Sequence, residues 1–67
     1  MGLDVTVAWA EGRWCCTTMR DGVLDMDNIP LPASEEFADD PEGGDKALKW
    51  AQQRWPDAFV ALDAEST

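Results

Sequence analysis

The chain has 67 residues, 45% of them hydrophobic, and its fourteen acids and five bases give a net charge of −9 with no histidine. This length predicts a single domain, residues 1–67, with one small core. The charge argues against direct binding to nucleic acid or to an anionic membrane, because both need a basic protein surface. We therefore expect a partner with a basic surface and an association that is fast and salt-sensitive.

The location of the chain is predicted from what its sequence lacks. There is no apolar run of roughly 18 residues, so no membrane span is predicted. The first residues, MGLDVTVAWA, have neither the basic region nor the long apolar region of a signal peptide. Two cysteines are too few for a disulfide framework. Together these features predict a reducing, cytoplasmic environment.

Residues 3–10 alternate between apolar side chains and small or polar ones. A period of two predicts a strand with one buried face. Glu11-Gly12 interrupts the pattern, and residues 13–19 (RWCCTTM) resume it with β-branched and aromatic residues. Two such runs joined by a short connection that contains glycine predict an antiparallel hairpin.

A second turn is predicted at residues 20–22 (RDG), and a third strand at residues 23–29 (VLDMDNI). In this strand we expect Leu24 and Met26 to face the core, while the two intervening aspartates point outward. The strand ends at Pro30, because proline is not compatible with a central strand.

Residues 30–45 contain prolines, glycines and many acids. Ser34 is predicted to cap a short helical turn that carries acids at its first positions. Phe37 would anchor that turn to the core. Residues 39–44 are predicted to form a loop.

The main helix is predicted at residues 45–55 (DKALKWAQQRW), with Asp45 as its N-cap. One apolar stripe is predicted along it, formed by Ala47, Leu48, Ala51 and Trp55. Pro56 ends the helix. Residues 58–62 (AFVAL) predict a last strand that pairs with the first, either parallel or antiparallel, and residues 63–67 are expected to fray.

The predicted order of elements is therefore β-β-β-(short α)-α-β. This order indicates a small two-layer α+β domain, with an antiparallel sheet of three to four strands and one main helix packed on one face.

No catalytic or metal-binding motif is found in the sequence. One thiol of Cys15-Cys16 is predicted to be buried and the other exposed, and a pair of small strand residues is favoured over a redox or zinc site. The acids from Asp21 onward do not match the spacing of a calcium loop. We therefore predict a protein that is not an enzyme and that has no cofactor.

The four tryptophans have two predicted roles. Trp9 and Trp55 lie on the predicted inward faces and are expected in the core. Trp50 lies about 100° from the centre of the helix stripe, which is the angle between successive residues of an α-helix. Two interpretations of Trp50 stay open. It is either a binding hot spot surrounded by acids or a residue at the edge of the core.

Most of the acids precede the main helix, in larger number than solubility and the helix dipole require. We predict that these acids and one tryptophan bind a partner: Asp21, Asp25, Asp27, Glu35, Glu36, Asp39, Asp40, Glu42, Asp45 and Trp50.

With these acids on a compact βββαβ chain, the sequence resembles in overall type the small acidic phage proteins that act against host defences, such as anti-CRISPR and anti-restriction inhibitors. The resemblance implies a nucleic-acid mimic that blocks the basic DNA- or RNA-binding surface of a host effector, with Trp50 or Phe37 as apolar anchors. Two alternatives stay open, namely a cytoplasmic adaptor or antitoxin-like module that binds one basic protein, and a dimeric structural protein. A monomer is expected.

Overall fold

A computed structural model describes residues 2–63 of the chain. The elements in chain order are β1 (Leu3–Ala10), β2 (Arg13–Arg20), β3 (Val23–Pro30), α1 (Gly44–Arg54) and β4 (Phe59–Leu62). One helix packs on one face of one sheet, so the predicted α+β fold is confirmed. The predicted fraying of residues 63–67 concerns a segment that, apart from Asp63, lies outside the described residues.

The four strands form one sheet in the order β3-β2-β1-β4. Strand β2 is antiparallel to both β1 and β3. Strand β4 pairs parallel to β1, with Val5 opposite Val60 and Val7 opposite Leu62. The orientation that the sequence left open is therefore parallel, and α1 carries the chain across the sheet between β3 and β4.

Two tight turns join the first three strands. Glu11 and Gly12 have φ values of 54° and 81°, and Asp21 and Gly22 have values of 55° and 81°. Positive φ at both central residues defines the turn whose twist matches a two-residue hairpin. Glycine adopts this conformation without strain, and aspartate tolerates it better than most residues. Both predicted turns are confirmed.

The core lies between α1 and the facing side of β1, β2 and β4. Val5, Val7 and Cys16 have no exposed surface, and neither have Ala47 and Ala51 on the helix. The small alanine side chains let the helix backbone approach the sheet closely. The predicted helix stripe is confirmed at these two alanines, while its other members lie at the margin of the core.

Strand β3 differs from its prediction, because Leu24 and Met26 are each 54% exposed. Among the described elements, α1 contacts β1, β2 and β4 but not β3, so the helix does not cover this edge of the sheet. The pairing with β2 also shifts at two places, each of which adds a residue to β3. These β-bulges break the alternation on which the inward orientation was predicted.

Residues 31–43 form a series of turns, and the short helix predicted from Ser34 is wrong. Leu31 and Ala38 are buried and attach the segment to β2. The Leu31 amide donates to the Trp14 carbonyl at 3.1 Å, and the Trp14 amide donates to the Ala38 carbonyl at 3.0 Å. Phe37 packs against the core, as predicted.

The ends of α1 are close to their predicted positions. Gly43 occupies the N-cap without a side-chain hydrogen bond, so the prediction of Asp45 at the cap is wrong. Asp45 lies in the first turn instead, where a carboxylate still interacts favourably with the helix dipole. The helix ends at Arg54, just before Pro56.

Both cysteines are buried, which contradicts the prediction of one exposed thiol. Cys16 lies under the helix with no exposed surface, and Cys15 is only 8% exposed on the opposite face of the sheet. Ala8 and Pro30 pair with Cys15 from the two neighbouring strands and shield it.

The tryptophans also differ from their predicted roles. Trp14 is the buried one, at 5% exposed, whereas Trp9 and Trp55 are half-buried at the core margin. Trp9 contacts the ring of Trp14 edge to face at 5.4 Å, and Trp50 contacts Trp55 in the same way at 6.0 Å. Edge-to-face geometry of this kind is favourable between aromatic rings.

Candidate protein-binding surface

Four of the predicted acids come together just before and within the first turn of α1. We call this group, formed by the side chains of Asp39, Asp40, Glu42 and Asp45, the acid-rich turn. All four residues are exposed. The tight turns and the helix start keep these carboxylates within one short stretch of surface.

Asp40 holds the acid-rich turn in place. Its backbone carbonyl accepts hydrogen bonds from Trp14 Nε1 at 2.7 Å and from the Gly43 amide at 2.8 Å. Its carboxylate oxygen Oδ1 accepts the Glu42 amide at 2.9 Å. A buried indole therefore fixes the turn to the sheet, so the exposed carboxylates lie on an ordered backbone.

Arg13 forms an ion pair with one member of the acid-rich turn. Its Nη2 atom lies 3.2 Å from Asp39 Oδ1, and the Asp39 side chain stays 79% exposed. It is the one ion pair whose two members both lie within residues 2–63. Exposed pairs of this kind add less than about 1 kcal/mol to stability, and a single cation neutralises little of the turn's charge.

Glu35 lines a shallow groove. The groove has a volume of about 220 Å³ and is lined by Glu35, Phe37, Lys46, Lys49, Trp50 and Gln53. The half-buried Trp50 therefore faces lysines as well as an acid. Glu36, the next residue in the chain, is exposed.

Asp25 and Asp27 lie on β3, where the bulges separate them. The Thr17 hydroxyl donates to Asp27 Oδ1 at 3.3 Å, and the Thr18 hydroxyl donates to Asp25 Oδ2 at 3.5 Å. Thr17 and Thr18 are consecutive residues of β2, so their side chains point to opposite faces of the sheet. The two aspartates that they bind therefore lie on opposite faces as well. The predicted alignment of both aspartates on one face is therefore wrong.

Asp21 lies at the far end of the sheet from the acid-rich turn. Arg13 and Arg20 stand at opposite ends of β2, which separates them by roughly 23 Å at the usual rise per residue. Asp21 follows Arg20, and its Oδ1 accepts the Gly2 amide at 3.2 Å. The structure thus divides the predicted set among the acid-rich turn, the neighbouring groove, strand β3 and this far end.

At that far end lies a cleft that the sequence reasoning missed. It has a volume of about 360 Å³ and is lined by Gly2, Leu3, Arg20, Arg54, Trp55, Pro56, Asp57 and Ala58. We call it the arginine cleft. One sequence signal could have predicted half of the arginine cleft. It is the hairpin register, which places Leu3 beside Arg20.

The fold raises the pKa values of both cysteine thiols. Burial raises the pKa of Cys16 to about 11, and the neighbouring Cys15 thiol adds to the effect. Burial also raises the pKa of Cys15, although Arg13 opposes the shift. Both thiols are therefore neutral at physiological pH, whereas a nucleophile or a metal ligand must be the thiolate.

Residues 2–63 contain no cluster of three or more acids or cysteines arranged to hold a metal ion. In the same part of the chain, the helix is neither long nor apolar enough to cross a membrane.

Comparisons of the chain with protein-family models, with curated proteins and with solved structures give no match.

Proposed function

We propose that this chain is a non-enzymatic inhibitor of the anti-CRISPR type, which uses its acid-rich turn to block the basic DNA- or RNA-binding surface of a host defence effector. The effector's lysines and arginines would pair with the carboxylates and so be unavailable to nucleic acid. The proposal places the chain in the cytoplasm as a monomer that does not itself bind nucleic acid.

The observation that supports this proposal is the ordered acid-rich turn. Four exposed carboxylates lie on a backbone that Trp14 fixes to the sheet, with one cation paired to them. An acidic surface that is ordered before binding loses little conformational entropy on association. Its charge also accelerates the encounter with a basic partner.

The exposure of the four carboxylates and the burial of the two thiols favour binding over catalysis. A general acid or base usually has a pKa shifted towards neutrality by burial or by a charged neighbour. The four carboxylates of the turn are exposed, and the two thiols are held neutral.

The proposal is tested by reversing charge in the turn without disturbing its backbone. The double variant Asp39→Lys/Glu42→Lys keeps Asp40, whose carboxylate accepts the Glu42 amide. Phage plating is measured on host strains that carry individual CRISPR or restriction systems, with and without the expressed protein. We expect the wild type to restore plating on at least one strain and the double variant to lose at least about 90% of that effect, because like charges oppose docking.

The matched control is Asp4→Lys/Asp57→Lys, which changes the net charge by the same amount. Both residues are exposed and lie at the far end of the sheet from the turn. It is expected to retain inhibition, and circular dichroism verifies that both variants fold. Equal inhibition by the two double variants, or no effect of the wild type on any strain, would contradict the proposal.

A second candidate function is an adaptor or antitoxin-like module that binds a basic protein without displacing nucleic acid. The observation in its favour is Phe59, 70% exposed on the edge strand β4, where a partner strand can pair. Affinity capture from host lysate at low and high salt identifies the partner. Competition then separates the two functions, because a mimic releases DNA or RNA from the partner and an adaptor leaves it bound.

A further inference from the structure

The arginine cleft brings two cations together on a strongly acidic molecule. Arg20 points to the helix side of the sheet beside Leu3, and Arg54 lies in the last turn of α1. Within residues 2–63, neither guanidinium forms an ion pair with a carboxylate, although fourteen acids are present in the chain.

Part of the lining of the cleft is apolar and aromatic. Leu3, Trp55, Pro56 and Ala58 line it, and the Arg54 guanidinium lies 5.3 Å from the centre of the Trp55 ring. Arginine combines a planar fork of donors with a weakly hydrated face that stacks on aromatic rings. Apolar side chains together with two arginines that line the same cleft are a suitable composition for a site that binds an organic anion.

The volume of the cleft limits the size of the ligand. About 360 Å³ lies at the lower end of the range for small-molecule sites, which is roughly 300–1,000 Å³. This space fits a one- or two-ring aromatic acid and is small for a nucleotide. Asp57 also lines the cleft, so an anion of low charge is favoured over a phosphate.

We propose that the arginine cleft binds a carboxylate on an aromatic body, with Arg20 and Arg54 holding the carboxylate and Trp55 packing on the ring. The ligand is either a free aromatic acid or the C-terminal aromatic residue of a peptide, since both present the same chemistry. The site is independent of the acid-rich turn and of the function proposed for it.

A purely structural role for the arginines is the competing explanation. The C-terminus of α1 carries a partial negative charge, and nearby cations stabilise it. That role requires the arginines but no ligand. It therefore predicts that replacing the arginines lowers stability without changing the binding of an added anion.

The test uses the full chain labelled with ¹⁵N and follows the Trp55 indole and the Arg20 and Arg54 side-chain signals during titration. The probes are 2-naphthoate, its neutral analogue 2-naphthamide, and inorganic phosphate. For 2-naphthoate we expect saturable shifts with a Kd of about 1 mM, the value given by ordinary ligand efficiency. The amide and phosphate should each bind at least ~10-fold more weakly, because each lacks one half of the recognised chemistry.

Variants assign the binding to the two arginines. Arg20→Gln and Arg54→Gln should each raise the Kd for 2-naphthoate about tenfold. Lys49→Gln, which removes one positive charge elsewhere on α1, should leave the Kd within about twofold because exposed distant charges are screened. Dispersed amide spectra verify that each variant is folded.

Peptides distinguish the two sources of the ligand. Gly-Gly-Phe with a free C-terminus is compared with the same peptide amidated. Tighter binding of the free-acid peptide than of 2-naphthoate assigns the cleft to a chain terminus, and the reverse assigns it to a free acid. No saturable shift with any carboxylate, or equal Kd values for 2-naphthoate and its amide, would overturn the proposal.

Discussion

At the residue scale, Cys16 shows how the core sets the chemistry of a side chain. It has no exposed surface, and burial raises its pKa from 9.0 to about 11. The unfolded chain therefore releases this proton at a lower pH than the folded chain does. The resulting contribution to stability is present below about pH 9 and is lost as the pH rises towards 11.

The first prediction concerns the reactivity and pH response of this thiol. In Cys15→Ala, the remaining Cys16 should react with a disulfide reagent at pH 8 at least ~1000-fold more slowly in the folded than in the unfolded protein, because modification requires opening of the core. Between pH 9 and 11 the free energy of unfolding should fall by up to about 3 kcal/mol from this group.

The control is the double variant Cys15→Ala/Cys16→Ala, which should lack the part of the alkaline destabilisation that Cys16 contributes. Urea unfolding at several pH values measures the difference. Rapid labelling of the folded protein, or identical pH profiles for the two variants, would show that Cys16 is not shielded.

At the element scale, the structure shows which parts of the fold are encoded locally. The alternation in residues 3–10 and the apolar spacing in α1 each depend on neighbours in sequence, and both elements formed as predicted. The exposure of Leu24 and Met26 instead depends on where α1 lies across the sheet, which local sequence does not show. The helix leaves β3 uncovered, and the bulges there depend on pairing with β2.

The candidate surface was predictable to a similar extent. Asp39, Asp40 and Glu42 are close in sequence, so their proximity in space followed directly. The separation of Asp21 from them depends on the length of β2, and the arginine cleft depends on strand register and on the end of α1. Contacts between distant segments are not visible in local patterns of charge or hydropathy.

The second prediction tests how tightly the acid-rich turn packs. A Cβ atom at Gly43 would lie 2.9 Å from Phe37 Cβ and 3.0 Å from the Phe37 carbonyl oxygen. Backbone must therefore move, and Gly43→Ala should lower the free energy of unfolding by about 1–3 kcal/mol, as overpacking does. Urea denaturation followed by tryptophan fluorescence measures the loss.

Gly2→Ala is the matched control for this prediction. A Cβ atom at Gly2 has nothing within 4 Å, so its effect should stay within about 0.5 kcal/mol. Equal stability of the two alanine variants would mean that the turn adjusts freely and is not ordered before binding.

At the scale of the whole molecule, the net charge of −9 opposes folding. Bringing like charges into a compact body is unfavourable, and one described ion pair offsets little of that repulsion. Added salt shortens the range of the repulsion from roughly 20 Å at 20 mM to roughly 4 Å at 500 mM. The free energy of unfolding should therefore depend on ionic strength, because the repulsion is summed over all the charges of the molecule.

The third prediction is that NaCl stabilises the protein. Raising its concentration from about 20 to about 500 mM should raise the Tm by about 5 °C, which corresponds to roughly 1 kcal/mol for a domain of this size. Thermal unfolding followed by circular dichroism gives the shift. The variant Asp39→Asn/Glu42→Gln, with two fewer charges, should show a smaller shift under the same non-electrostatic effects of salt. A Tm that falls with salt would indicate that attractive pairs dominate.

The parallel pairing of β4 with β1 also affects how the protein folds during its synthesis. A nascent chain that has emerged only to residue 58 contains β1, β2 and β3, but the second edge of β1 has no strand beside it. Hydrophobic residues of β1 then stand next to an unpaired backbone, a combination that promotes aggregation between chains. We expect ribosomal products cut short before Phe59 to aggregate, so that the native sheet forms only after the final strand has left the exit tunnel.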